Sequence, residues 1–376
     1  MSTGHSQDTT FTMVQSKSDW AKAFLEIPIE HEPGTYFLYN TGATYMLSAI
    51  LEKATGQKLL DYLRPKLFEP LGISGVTTIS CPQGIHVGGF GMSMTTEDIA
   101  KFGQLYLQKG VWQGQRILSE EWVLAATSEQ VSNAHSGQGD WSQGYGFQFW
   151  RCQHNSYRGD GAFGQFCVVM PEQDAVIAMT AGYMEMQAML ELVWQHLLPG
   201  MTDSAQGAGP AIHQALLQRL NDVSYLRETG DYGSPSEWKD AAVSYRVSPN
   251  TAQILEVSFS GDDQEVCITL VDANGTSELR AGFGSFSEGE AELDGFRFRY
   301  AACGVWRKRN VLEIALYMTE LALSDVITCH FVNDSVQISA SRNVWVSPIL
   351  SDMGLLPTII GSRFEDRDTW IGNTKQ

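Results

Sequence analysis

Two short stretches of the chain carry residue types suited to acyl-transfer chemistry. The first is GTYFLYNTGATYMLSAILEKATG, residues 34–56, where Tyr39 stands at the entry to an apolar helical pattern and Thr41 follows two positions on. A phenol acts as a general base or proton relay where nearby cations lower its pKa. A helix mouth favours the phenolate, because the positive end of the dipole lies there. Thr41 is placed to bond a substrate amide or to hold a neighbouring side chain. On its own, a tyrosine ahead of a helix is more often a core aromatic with a satisfied hydroxyl.

The second stretch is YRGDGAFGQF, residues 157–166. Glycines at 159, 161 and 164 lead into an apolar strand and let another molecule approach the backbone closely. Free N–H groups on a strand edge are good oxyanion donors. The same stretch also reads as a glycine-rich bulge or turn.

The elements that must position these residues are legible in the periodicity. Thr41–Thr55 reads as a helix with Ala43, Tyr45, Met46, Leu47, Ile50, Leu51 and Ala54 apolar, and Gly56 as its C′ residue. A short helix over Leu59–Leu63 is expected to stop at Pro65 and Pro70. Thr95 and Asp98 start a helix that Gly110 stops, and Ser119 caps EEWVLAAT. Residues 144–152, 162–170 and 175–182 read as three strands. The tight PEQD turn makes the last two antiparallel. An apolar helix over 184–198 is expected to lie on a face of that sheet.

Residues 199–210 read as a linker, followed by a short helix over 211–220. From residue 241 the pattern alternates with period two, as in Val257 and Phe259, or Leu312, Ile314, Leu316 and Met318, with turn signals at Asn274-Gly275 and Asn333-Asp334. That predicts an antiparallel β domain over 241–362, a sandwich or small barrel, and a loose polar tail over 363–376.

Composition excludes several function classes. A chain of 376 residues with 43% hydrophobic residues supports two cores. The net charge of −18 argues against a nucleic-acid partner, which needs a basic stripe. No apolar run is long enough to span a bilayer, and residues 1–10 have no signal-peptide pattern, so a cytoplasmic protein is expected. The six cysteines form no C-x-x-C pair and fit buried free thiols. No metal-ligand spacing or cofactor motif is present, so no cofactor is expected.

Taken in order, PGTYFLYNTGATYMLSAILEKATGQ, DYLRPKLFEPLGI, GGFGMSMTTEDIAKFGQLYLQKG, GYGFQFW and GDGAFGQFCVVMPEQDAVIAMTAG resemble the serine β-lactamase and penicillin-binding-protein superfamily, in its class C β-lactamase, esterase and D-aminopeptidase branch. The likeness covers roughly residues 1–200. It implies an α+β fold, an antiparallel sheet with flanking helices, ahead of the all-β domain. By that resemblance Tyr39 matches the Tyr of a Tyr-x-Asn motif, with Thr41 in place of the Asn. Gly159, Asp160 and Gly161 match the Lys/His-x-Gly motif, with Gly159 in place of the cation or imidazole, and Ala162 would supply an oxyanion-hole N–H. Without that charge, an ester, amide or peptide substrate fits better than a penicillin-type carboxylate.

The family's nucleophile sits in Ser-x-x-Lys at a helix start, upstream of the segment that MSTGHS resembles. The resemblance therefore implies that this motif, the first helix and the first strands precede the chain. The literal match Ser236, Glu237, Trp238, Lys239 lies in the expected interdomain loop with no apolar helix behind it, and reads as chance. The expectation is a serine hydrolase domain that is inactive alone, with a homo-oligomer as one way to cover the open sheet edge. The competing reading is a non-catalytic binding module on the same fold.

Overall fold

A computed structural model describes residues 1–16, 18–202, 209–223, 242–250, 253–293, 295–344 and 369–374. The chain divides into two compact units, Met1–Ala181 with Glu185–Thr202, and Gly182–Met184 with Asp203–Gln376. The Ser236–Lys239 match lies outside the described residues.

In the first unit, helices α1 (Thr10–Gln15) and α2 (Trp20–Glu26) precede α3 (Thr41–Thr55). Asn40 caps α3, its side-chain oxygen accepting from Ala43 N, and Gly56 ends it at φ +71° as the C′ position requires. Helix α4 (Leu59–Leu63) does not stop at the prolines. It runs on through a π turn (Arg64–Phe68) into α5 (Glu69–Leu71), which corrects the expected break. A wider turn absorbs a residue that has no N–H to donate. Two short ribbons follow, β1 (Thr77–Thr78) with β2 (Met92–Ser93), and β3 (Val111–Trp112) with β4 (Gln115–Arg116). Between and after them lie α6 (Thr96–Leu107) and α7 (Glu120–Thr127), capped by Thr95 and Ser119 as the sequence predicts.

The sheet of this unit is antiparallel, in the order β5 (Trp150–Arg151), β6 (Tyr157–Gly161), β7 (Gln165–Met170), β8 (Ala175–Met179). Residues 144–152 are not one strand. Gly146 N donates to Phe149 O and Gln148 sits at φ +66°, so the run folds back before β5. Conversely, the glycine-rich stretch at 157–161 is a full strand. One face of the sheet packs on α6 and α7 through Tyr106, Val123, Ala126, Tyr157, Cys167 and Val169. The other packs on α8 (Met186–Leu192) and the π turn after it through Phe166, Val168, Leu190, Val193 and Trp194.

The second unit holds α9 (Pro210–Asn221) and a ten-stranded sheet: β9 (Val243–Val247), β10 (Glu256–Gly261), β11 (Glu265–Val271), β12 (Thr276–Phe283), β13 (Ser287–Leu293), β14 (Phe296–Lys308), β15 (Val311–Met318), β16 (Ser324–Val332), β17 (Ser335–Arg342) and β18 (Thr369–Thr374). The order is β12-β11-β10-β9-β18-β17-β16-β15-β14-β13, and Gly282 and Phe283 of β12 pair in parallel with Cys303 and Gly304 of β14, nearly closing a barrel. The final strand, from the stretch expected to be a loose tail, lies between β9 and β17. Inward residues such as Val257, Phe259, Ile268, Leu279 and Ile338 leave a void of only about 10 Å³, room for one water at most, so this barrel is filled by its own side chains.

Candidate active site

Tyr39 lies one residue before the cap of α3. The mouth of that helix is already answered. Thr41 N donates to Asp8 Oδ2 at 3.2 Å, and Asn40 Oδ1 accepts from Ala43 N at 3.3 Å and from Thr9 Oγ1 at 2.7 Å. The positive end of the dipole therefore meets a carboxylate before it reaches the phenol. Burial pushes the Tyr39 phenol up to about 12, Asp160 and Asp8 push the same way, and Arg158 only partly opposes them. The sequence-based expectation of a lowered phenol pKa is thus reversed: at neutral pH Tyr39 is a proton donor. Its ring is 39% exposed, lies face to face with Trp150 at 5.5 Å, and meets Tyr145 edge-on at 6.5 Å.

Strand alternation puts Arg158 and Asp160 on one face of β6 and Gly159 on the other. Arg158 is fully buried. Its Nε donates to Asp160 Oδ2 at 2.7 Å, and its Nη1 donates to the Asp140 carbonyl at 2.8 Å and to Cys152 Sγ at 3.2 Å. The guanidinium sits 4.5 Å from the Trp141 ring and 5.3 Å from the Trp150 ring. Burial pushes the Asp160 carboxyl up against the downward pull of Arg158. Burial also pushes the thiols of Cys152 and Cys167 up, to about 11 and about 12, so neither is an activated nucleophile.

The six residues singled out in the sequence do not all converge. Tyr39 and Asp160 are brought together electrostatically. Gly159 pairs with Cys167, and a Cβ placed on it would meet only Cys167 Cβ, at 3.8 Å, so the position is open. Gly161 pairs with Gln165, and Ala162 opens the exposed three-residue tip that follows, with Phe163 at φ +68° and Gly164 at φ +88°. Strand β5 covers only Tyr157 and Arg158, so the outer edge of β6 from Gly159 to Gly161 has no strand partner among the described residues. Thr41 is bound to Asp8 through its backbone.

Trp150, Arg158, Asp140 and Asp8 escaped the sequence reading. Arg158 and Asp160 were recoverable from an i, i+2 pair of opposite charge, had 157–161 been read as a strand. No group of three or more His, Cys, Asp or Glu among the described residues is placed to hold a metal.

The family model described as Beta-lactamase matches residues 1–194, more than half of the 376 residues. The chain belongs to the Beta-lactamase family. A curated relative of this family member, the 6-aminohexanoate-dimer hydrolase of Paenarthrobacter ureafaciens, is 29% identical over 154 residues, 39% of this chain and 39% of the relative. The chain thus matches about two fifths of the relative's length. Among solved structures, the octameric penicillin-binding protein homologue of Pyrococcus abyssi matches at 15% identity and TM-score 0.36, over 82% of this chain and 65% of its own. A β-lactamase of Mycobacterium bovis matches at 21% identity and TM-score 0.33, over 39% of this chain and 57% of its own. No helix of this Beta-lactamase family chain, among the described residues, is long and apolar enough to cross a membrane.

Proposed function

We propose that the first unit carries the proton-transfer and oxyanion part of a serine-hydrolase site acting on a small ester, amide or peptide. Tyr39 would hand a proton to the leaving group, and the amides around Gly161 and Ala162 would hold the oxyanion. The observation that carries this reading is the placement of Tyr39 against the strand whose outer edge lies open from Gly159 to Gly161. The family match supports hydrolase chemistry, and the 6-aminohexanoate-dimer hydrolase named above favours an amide among the substrates.

The acylated serine lies, on this reading, outside the described residues, so the chain alone is inactive. The outer edge of β8 also has no strand partner among the described residues. The strands that come with the Ser-x-x-Lys segment are the occupant we propose, with a second copy of the chain as the alternative. A different reading, a nucleophile within the chain, rests on Ser6 Oγ standing 3.1 Å from His31 Nε2.

A burst assay with p-nitrophenyl esters, together with fluorophosphonate labelling and peptide mapping, separates these readings. No burst and no label on the chain alone, with both appearing once the N-terminal part of the Paenarthrobacter ureafaciens relative is fused ahead of Met1, supports the proposal. Labelling of Ser6 in the unfused chain supports the second reading. A fused protein that folds and stays unlabelled leaves a binding module as the better account.

A further inference from the structure

We propose that Asp160 is held as the counter-ion of Arg158 and is not a contact for substrate, and that Arg158 positions the Tyr39 ring through Trp150. The inference rests on the hydrolase reading only for the use to which Tyr39 is put.

Three observations carry it. First, both groups of the pair are sequestered, with side-chain exposure of 0% for Arg158 and 8% for Asp160, joined at 2.7 Å. A substrate charge could reach neither without dismantling the pair. Second, the Trp150 ring is shared. The guanidinium lies 5.3 Å from it and the Tyr39 ring stacks on it at 20° between planes. Trp141 and Phe166 close further sides of the guanidinium at 4.5 and 5.8 Å. Third, Arg158 Nη2 is buried without a hydrogen-bond partner. A buried charge with an unmet donor is costly, and an apolar side chain would fill the space more cheaply, so its retention calls for a role beyond packing.

The charged and titratable groups acting on Tyr39 come from three elements: Asp8 from the N-terminal segment, Tyr145 from the turn before β5, and Arg158 with Asp160 from β6. Asp160 is the first named of the two carboxylates that keep the phenol protonated. Removing its charge leaves Arg158 uncompensated, and both changes favour the phenolate.

The test is NMR of the full chain labelled at tyrosine ¹³Cζ, between pH 7 and 11, with Tyr39→Phe assigning the signal. In the unaltered chain the Tyr39 signal is expected to hold the neutral-phenol position throughout. In Asp160→Asn it is expected to move toward the phenolate position, a midpoint shift of roughly one unit or more. A folded Asp160→Asn chain whose Tyr39 signal is unmoved overturns the proposal, because a purely structural role would change only stability. Should that variant fail to fold, Trp150→Phe against Trp150→Leu decides. The Tyr39 ring-proton shifts are expected to stay near their original positions in the first and to lose the ring-current displacement in the second; equal shifts overturn it. Loss or survival of hydrolysis in the fused protein bears on neither outcome, so the two readings fail separately.

Discussion

Trp194 Nε1 donates to Asp140 Oδ2 at 2.9 Å. That contact ties the π turn after α8 to the turn that supports Arg158. The same buried carboxylate accepts from Gln187 Nε2 at 3.0 Å, Gln153 N at 2.8 Å and Gln153 Nε2 at 3.1 Å, while the Asp140 carbonyl accepts from Arg158 Nη1 at 2.8 Å. One side chain thus fixes the helix on the sheet and its backbone fixes the guanidinium behind Trp150. Packing and the candidate site share this residue.

Replacing Asp140 with Ala is expected to destabilise the first unit by about 3 kcal/mol, because several buried donors lose their acceptor at once. Trp194→Phe, which removes one donor and keeps most of the ring, is expected to cost about 1–2 kcal/mol. Urea unfolding followed by circular dichroism measures both, with the two units allowed separate transitions. Equal costs for the two variants would show that Asp140 matters only through Trp194.

Asp140 also predicts an acid limb. Burial raises its pKa, but the hydrogen bonds from Trp194, Gln187 and Gln153 outweigh burial and hold the carboxyl below its usual value. A depressed folded-state pKa means that the unfolded chain binds the proton more readily. The contribution is therefore complete above the unfolded value of about 3.9 and is lost as pH falls through the folded one. Stability measured from pH 6 down to pH 2 is expected to fall more steeply in the unaltered chain than in Asp140→Asn. Parallel curves would refute the assignment.

Local signals made the caps of α3, α6 and α7 readable, because Asn40, Thr95, Ser119 and Gly56 act on their own helix ends. They also gave the alternation of the barrel, where Leu312, Ile314, Leu316 and Met318 are all buried. Three things were not local. Asp140 stands in a Gly- and Ser-rich loop with no periodicity, and its partners come from 13 to 54 residues away. The reversal at 144–149 depends on Gln148 taking a positive φ that its residue type does not announce. The raised phenol of Tyr39 depends on Asp160, more than a hundred residues downstream in the chain. Sequence spacing can place a tyrosine at a helix mouth, but it cannot say which charges the fold will bring to it.

The glycines of the second motif are expected to differ sharply in tolerance. Gly159 has open space for a side chain, so Gly159→Lys should leave stability within about 0.5 kcal/mol. Because that side chain would leave the strand on the face away from Arg158 and Asp160, it should not place a cation on Tyr39, and the tyrosine NMR signal should stay where it is. Gly164 sits at φ +88°, and a Cβ there would collide with Met189 Sδ, so Gly164→Ala should cost about 1–3 kcal/mol. Thermal melts of the two variants give the comparison. Equal melting points would contradict the hairpin geometry.

Helix α6 approaches the sheet at a residue without a side chain. A Cβ on Gly103 would lie 2.6 Å from Val176 Cγ1 and 2.7 Å from Cys167 Sγ. Gly103→Ala gains helix propensity worth up to about 1 kcal/mol. Overpacking against two buried neighbours costs about 1–3 kcal/mol and should win. A net loss of stability is the expected result, and Cys167→Ala combined with Gly103→Ala should recover part of it by removing one of the two obstacles. A stabilised single variant would mean that α6 sits farther from β7 and β8 than the structure has it.

The last prediction concerns the strand that closes the barrel. Residues Thr369 to Asn373 of β18 pair with Ser339 to Ser335 of β17, and Gly372 to Thr374 pair with Val247 to Tyr245 of β9. Deleting 369–376 would remove a strand from between two others and leave two unpaired edges, each a template for another chain. Cys329 reports on the interior. It lines the central void, is buried, and burial pushes its thiol up to about 12, so it should be inert to Ellman's reagent in the intact chain. In the truncated chain it is expected to react, and the protein to elute as a dimer or larger species on gel filtration. A truncated chain that remains monomeric with Cys329 protected would show that β9 and β17 close on each other without the terminal strand, and the barrel would then be complete by residue 344.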